Sequence, residues 1–460
     1  PAVTGRVVGS LEVSERFLWD LRRTAQELVI ENHASHLKEL GRRHGFGLSI
    51  EPYDMNPCAD MSLGAVADVP MCEFWLYGFN SFFSVLEAAS VAHTGGRPVV
   101  AAEAFTSTDA ERWQAHPASM KSLGDWAFCA GVNRIVFHRC QHQPWLDRRP
   151  GMTMGPYGVH WDRTQTWWDM VDAYHLYLSR CQFLLRQGLP VADVCYLAAE
   201  GAPHVFRPPS SATRGNPPDR LGYNFDGCSP ETLLARASAK DGRLVFPDGM
   251  SYRVLVLPER QTVTPALLAK VKELVAGGVT AIGPRPVKSP GLSDYPKCDK
   301  EVKRLAGELW GDCDGTSVRQ HVFGKGRVVW HAGPPPQPVQ PPRKPLADAK
   351  WIWRGEDGPF GRAPVGKRVF RRSVTLDERS RIASAHAYLT ADNAFELSVN
   401  GRPAGSGDNF HRVEAIDVTS LVKPGTNELR VVAENGGDGP NPAGLIGALR
   451  SEERRVGKEC

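Results

Sequence analysis

The apolar positions change spacing along the chain, and each change predicts an element. Between residues 14 and 44, Leu18, Leu21, Ala25, Leu28, Leu37 and Leu40 recur at the period of a long amphipathic helix. Ser14 is placed to cap its start, Glu15 falls in its first turn, and Gly45 and Gly47 end it. GLSIEPYD then reads as a short strand that delivers Glu51, Tyr53 and Asp54 to its C-terminal end. VADVPMCEF predicts a second strand, residues 80 to 93 a helix stopped by Gly95 and Gly96, and RPVVAAEAF a strand buried on both faces. Residues 117 to 130 predict a helix with Pro117 near its first turn, and NRIVFHR a strand ending at His138. Strands alternating with helices, each strand ending in a polar residue, predict half of a (β/α)8 barrel. Half a barrel leaves strand edges unpaired, and the chain opens at Pro1 without Met, so further sequence upstream is expected.

The loop 141–162 holds His142, Trp145, Tyr157, His160 and Trp161, and a helix is predicted from about residue 163 to 187. Loops this long inside a compact domain are usually functional. Residues 190 to 333 then alternate strands and helices again, with Ser229 before Pro230 and Thr264 before Pro265 as N-caps. That rhythm predicts a doubly wound α/β domain, and the lack of GxGxxG or a P-loop gives no sign of a nucleotide. The run PPPQPVQPPRKP predicts a polyproline II linker. After it the helical period disappears, and alternating segments with turns at DN, NG and PG predict a β-sandwich of jelly-roll type. The expected boundaries are 1–188 for the partial barrel, 189–333 for the α/β domain, 334–345 for the linker and 346–450 for the sandwich. SEERRVGKEC, residues 451–460, reads as a tail of no structural pattern, resembling translated adapter sequence.

Composition narrows the function classes. Lys and Arg number 55 against 51 Asp and Glu, so no basic surface suggests nucleic acid. No window approaches the roughly 18 apolar residues of a membrane span. The ten Cys are scattered without CxxC pairs, which argues against a zinc site or a disulfide framework. Twelve Trp are many for this length, and aromatic rings suit both cores and sugar faces.

The chemistry concentrates in Asp68 to Thr106. Apolar strands deliver Glu73 and Glu103 to what the pattern predicts as the C-terminal mouth of parallel strands, where barrel enzymes gather their catalytic residues. Two carboxylates facing one cleft is the layout of glycoside hydrolysis. Glu51 either binds substrate or is structural. Glu87, inside a helix, reads as solvated or as a neighbour of the site. His138 and His142 either bond sugar hydroxyls or are satisfied in the core, and Trp145 and Trp161 either stack on a sugar or pack the loop. His160 belongs with the substrate-binding candidates. No GxSxG supports a serine triad, and no His-carboxylate cluster argues for zinc. Asn393, Glu396 and Asn400 either bind carbohydrate or make turns.

DVPMCEFW, VVAAEAFTS, NRIVFHRCQHQPW and GPYGVHWDRTQTWW, in this order, resemble the C-terminal half of the barrel of bacterial α-L-rhamnosidases of glycoside hydrolase family 106. The resemblance covers roughly residues 14 to 345. The following α/β domain is similar to the glutamine-amidotransferase-like domain of related galactosidases, without that fold's catalytic Cys setting. WIW, TADNAFELSVNG and NPAGLIG resemble accessory β-domains of rhamnosidases and galactosidases. The resemblance implies inverting removal of terminal α-L-rhamnose from plant polysaccharides or glycosides by a secreted or periplasmic enzyme. It implies a calcium ion touching sugar hydroxyls. It gives Glu103 the role of base, leaves Glu73 either assisting the water or holding the calcium, and sets a further glutamate, the acid, before Pro1, so that this fragment alone lacks a complete site. The alternatives are a galactosidase-like retaining hydrolase and a non-catalytic carbohydrate-binding fragment. Oligomeric state stays open.

Overall fold

The helical spacing of the first forty residues produces α1 (Leu11–Val29) and α2 (His36–Arg43), joined through a wider π turn over Ile30–Ser35. The cap is Ser10, not Ser14: Ser10 has extended backbone and its Oγ accepts from Val13 N–H, while Ser14 is buried inside the first turn. The face that α1 buries also differs from the expected one. Phe17, Leu21 and Leu28 are exposed, and Arg16 and Gln26 are buried. Arg16 donates to the Ser289 and Gly291 carbonyls and pairs with Asp299 at 2.8 Å, and Gln26 accepts from Ala59 N–H.

The computed structural model describes residues 2–331, 349, 352–353, 363–377, 380–408, 413–437, 439, 441 and 443–455. They fall into two compact units divided at residue 338. The expected linker 334–345, Trp351 and residues 456–460 lie outside the described residues.

In the first unit, β1 (Ser49–Ile50), β2 (Val69–Tyr77), β3 (Ala101–Ser107) and β4 (Arg134–Phe137) form a parallel sheet in chain order. The connections carry α3 (Asp60–Gly64), α4 (Phe82–Gly95) and α5 (Pro117–Ala130), and α6 (Val171–Leu185) follows β4. Period-two side chains separate the two faces of β2. Pro70, Cys72 and Phe74 are buried, with Cys72 and Phe74 in a core shared with α4 and α5, while Val69, Met71, Glu73 and Trp75 are only half-buried. The helix expected from residue 163 begins later, at Val171 after a single 3-10 turn at Trp168–Met170, because Trp161, Trp167 and Trp168 pack as one aromatic group.

The chain continues with β5 (Val194–Leu197), a small hairpin of β6 (Thr213–Arg214) and β7 (Asp219–Arg220), β8 (Phe225–Cys228), α7 (Pro230–Arg236), β9 (Ser238–Lys240), β10 (Arg243–Val245), β11 (Ser251–Tyr252) and β12 (Val254–Val256). Then come α8 (Pro265–Ala276), β13 (Thr280–Ile282), α9 (Lys297–Trp310), β14 (Gln320–Phe323) and β15 (Gly326–Val329). Ser229 and Thr264 cap α7 and α8 through their hydroxyls, as their Ser-Pro and Thr-Pro pairs predict. The main sheet runs β14-β15-β13-β12-β5-β8, parallel except for β14. GRLVF, expected in this sheet, instead joins a separate antiparallel sheet β11-β10-β9. α9 escapes the sequence reading although Cys298, Val302, Leu305, Ala306 and Leu309 form its buried stripe at helical spacing.

The second unit is built from β16 (Gly366–Leu376), β17 (Ser380–Asp392), β18 (Ala394–Val399), β19 (Arg402–Gly407), β20 (Glu414–Asp417), β21 (Gly425–Asn435) and β22 (Gly444–Arg455). Two antiparallel sheets, β16-β21-β18-β19 and β20-β17-β22, bury alternate residues such as Ala387, Leu389, Leu397 and Val431 in one core. β22 does not finish at Arg450. Its backbone pairs with β17 as far as Arg455, so residues 451–455, expected outside the fold, continue the sheet. Asn393 and Asn400 hold turns: Asn393 Oδ1 accepts from Gly436 N–H, and Asn400 Nδ2 donates to Asn427 and to the Leu421 carbonyl.

Candidate active site

The parallel register of β2 and β3 sets Glu73 directly beside Glu103. Neighbouring strands lie about 4.8 Å apart, so the two carboxylates leave the same sheet face from adjacent positions. The sequence reading expects both at the strand mouth. They sit further in, because β2 continues to Tyr77 and β3 to Ser107. Glu51 follows the last residue of β1, on the strand next to β2.

Each carboxylate has its own surroundings. Tyr53 Oη donates to Glu51 Oε2 at 3.2 Å. Burial, and then the charges of Glu103 and Glu73, push the Glu51 carboxyl up to about 7 against the single opposing hydrogen bond from Tyr53. The Tyr53 phenol is itself pushed upward by burial and then by the Glu51 and Glu73 carboxylates. Glu103 Oε1 accepts from Thr106 Oγ1 at 3.2 Å, and His138 Nδ1 lies 3.7 Å from the same oxygen. Thr106 also hydrogen bonds with His138 Nδ1. A hydroxyl has one proton to give. Since Thr106 spends it on Glu103, it accepts from His138 Nδ1–H, and the order runs His138 to Thr106 to Glu103. The loop after β4 closes over this group at Gly158, whose φ is +93° and where a Cβ would stand 3.0 Å from both His138 Nδ1 and Arg139 Cγ. Only glycine allows that approach.

The loop candidates separate. His160 Nδ1 bonds Glu111 Oε2 at 3.1 Å, and its ring stacks on Trp113 at 3.6 Å. Glu111 is 2% exposed. Burial opposes its charge, but the bonds from His160 and from Trp113 N–H outweigh it and hold the carboxyl below its usual range. Trp161 belongs to the core: it stacks on Phe137 at 4.2 Å, touches Trp167 and Tyr174, and donates Nε1–H to His175. Both ring faces are therefore committed to protein. His142 and Trp145 are exposed on the loop, and no described contact joins either to the carboxylates. Glu87 is not solvated. It is 1% exposed, accepts from Phe206 N–H at 3.0 Å, and burial raises its carboxyl well above the usual range.

Tyr53, Thr106, Glu111, Trp113 and Arg139 are the neighbours that sequence reasoning passes over as site residues. Arg139 is 6% exposed, and its guanidinium makes no hydrogen bond among the described residues. Burial lowers its pKa against the pull of Asp162 and Glu111. No group of three or more His, Cys, Asp or Glu side chains could hold a metal ion among the described residues.

The family model for α-L-rhamnosidases of glycoside hydrolase family 106 matches residues 1–334. The chain belongs to that family. Family membership carries the general class, a glycoside hydrolase sequence, onto the strands that hold Glu73 and Glu103. A curated relative from Formosa agariphila, called a putative beta-glucuronidase, is 40% identical over 312 residues, 68% of this chain and 26% of that protein. An alpha-L-rhamnosidase from Streptomyces avermitilis is 35% identical over 126 residues, 26% of this chain and 12% of that protein. The chain thus spans about a quarter or less of the length of these curated relatives. The solved rhamnosidase from Novosphingobium sp. PP1Y shares the mixed α/β fold, with a TM-score of 0.65 and 21% identity over 97% of this chain and 58% of that one. No described helix is long and apolar enough to cross a membrane.

Proposed function

We propose that this chain is part of an enzyme that removes terminal α-L-rhamnose from plant polysaccharides or glycosides by inverting hydrolysis, with Glu103 as the base that activates water. The observation that carries the reading is the in-register pair Glu73–Glu103 on a half-open sheet face, with Thr106 and His138 oriented on Glu103. We read the four parallel strands as the closing half of a (β/α)8 barrel, the six-stranded sheet as an amidotransferase-like domain and the second unit as a jelly-roll sandwich. A secreted or periplasmic setting goes with such substrates.

Inverting enzymes hold their acid and base about 6.5–9.5 Å apart, with room for water between. Glu73 and Glu103 start from strands only about 4.8 Å apart. They therefore serve the same side of the sugar: Glu103 takes the proton from water and Glu73 orients that water. The acid is a carboxyl other than this pair. Glu51, two strands from Glu103, carries a proton for much of the time at neutrality. It donates that proton as a hydrogen bond to a sugar hydroxyl, while His138 keeps Glu103 in place through Thr106. Calcium, which the family resemblance implies, finds no converging donor set among the described residues, and no step is routed through it.

The test is release of 4-nitrophenol from the α-L-rhamnoside by the protein that carries this chain. Glu103→Gln lowers kcat by about 10²–10⁴-fold with binding retained. Retention of most activity removes Glu103 from the role. The name of the Formosa agariphila relative favours a second reading, hydrolysis of a β-glucuronide. Cleavage of the β-glucuronide but not the α-L-rhamnoside would establish it, and cleavage of the β-galactoside alone would replace both.

A further inference from the structure

The six-stranded sheet changes the direction of its strand order part-way across. Counted from β8, its five parallel strands run second, first, third, fourth, fifth in chain order, so the chain reverses direction between β5 and β12. In open α/β sheets, ligands bind outside the carboxyl ends of the strands at such a reversal. A cavity of about 370 Å³ lies there. It is lined by Leu197 at the end of β5, Leu257 just past β12 and Pro284 just past β13, and none of Glu51, Glu73 and Glu103 reaches it. Its volume falls at the small end of ligand pockets, about 300–1,000 Å³.

Its walls have two characters. Trp19 of α1 and the buried Trp310 of α9 are the aromatic surfaces. Trp19 is fixed by two glycines: a Cβ at Gly201, φ +112°, would stand 2.7 Å from its Nε1, and one at Gly291 would stand 3.1 Å from its ring. Trp310 donates Nε1–H to the Gly283 carbonyl. The charged wall is Arg22 and Arg260, both exposed, and neither guanidinium has a hydrogen-bond or ion-pair partner among the described residues. One carboxylate, Glu200, also lines the cavity. Both its oxygens are committed, accepting from Thr264 N–H at 2.7 Å and from Thr264 Oγ1 at 2.6 Å at the start of α8. Among the described residues, two guanidiniums without partners therefore line a cavity whose one acid is already occupied. Arginine forks match carboxylates in geometry and charge.

We propose that this cavity binds a small ring compound bearing one carboxylate, its apolar face on Trp19 and its carboxylate on Arg22 and Arg260. A sugar acid and an aromatic acid share that chemistry. The site lies in a part of the chain that the hydrolytic proposal does not use, and it stands or falls separately.

The test titrates this chain with D-glucuronate and with 4-hydroxybenzoate, against uncharged D-glucose and phenol, reading tryptophan fluorescence and saturation-transfer NMR. Saturable binding of an acid but not of its uncharged counterpart is expected, and the acid that binds names the source. Arg22→Ala with Arg260→Ala weakens it by about tenfold or more, because charge-assisted bonds are lost. Both residues are exposed, so circular dichroism should stay unchanged, and Arg22→Ala alone serves if the pair fails to fold. Glu103→Gln leaves the affinity unchanged. Binding of neither acid, equal binding of the uncharged compounds, unchanged affinity in the arginine variants, or loss of affinity in Glu103→Gln each overturns the proposal.

Discussion

Replacing Glu51 with Gln tests the electrostatics of the carboxylate face without requiring any turnover. The folded carboxyl titrates at about 7 against an ordinary value of 4.5, chiefly through burial and then through Glu103. The folded state thus binds this proton more tightly than the unfolded chain does. The stability contributed by this group is greatest below 4.5, falls as the pH rises toward 7, and is lost above it. The gap between 4.5 and about 7, at about 1.4 kcal/mol per pH unit, sets a ceiling of about 3.4 kcal/mol. The group is only half-buried, and water screens part of the effect, so about 1–2 kcal/mol is expected. Gln keeps the shape and cannot ionise. Urea unfolding should give similar midpoints for both proteins near pH 5 and a more stable variant by that amount near pH 8.5. A ¹³C-carboxyl titration reads the same event directly, with the Glu51 signal moving near neutrality. Parallel pH profiles for the two proteins would refute the reasoning, because Glu51 would then be ionised throughout at no cost.

The other predictions concern neighbouring groups. Trp161→Ala should destabilise the first unit by about 3–5 kcal/mol in thermal or urea unfolding, as the loss of a buried indole does, whereas Trp145→Ala should leave it nearly unchanged. Glu111→Gln should cost about 1–3 kcal/mol at neutral pH by weakening the bond to His160. The Glu111 carboxyl is held below its usual range, so its contribution is present above 4.5 and lost as the pH falls through the folded value, and the variant should show a flatter acid limb. His138→Ala should lower kcat more than KM on the rhamnoside if it orients Glu103 through Thr106, and His138→Gln should restore part of the loss.

Much of the architecture is legible because burial on two faces leaves a mark in sequence. RPVVAAEAF reads as a parallel strand, and β3 is nearly continuous core. The proline-primed caps of α7 and α8 are legible for the same local reason: the capping hydroxyl and the proline are adjacent in sequence. α1 shows the limit of periodicity. Its apolar stripe predicts the helix correctly but not the side it buries, because Arg16 and Gln26 find fixed partners elsewhere in the unit. Nothing within one turn of Arg16 announces Asp299.

The site divides along the same line. That Glu73 and Glu103 belong together is legible, since each follows an apolar run of similar length on consecutive strands. Their order across the sheet, and so the inference that both serve one side of the sugar, needs the register. The aromatic residues of the long loop are illegible for a physical reason. Trp113, ahead of α5, and Trp161, in the long loop, are the same residue type, yet one lies over His160 with 38% of its surface exposed and the other is 3% exposed. What distinguishes them is the partner on the second ring face, Phe137 in the case of Trp161. That partner comes from another strand, and a ring available for a sugar can be told from a core ring only after both faces have been accounted for.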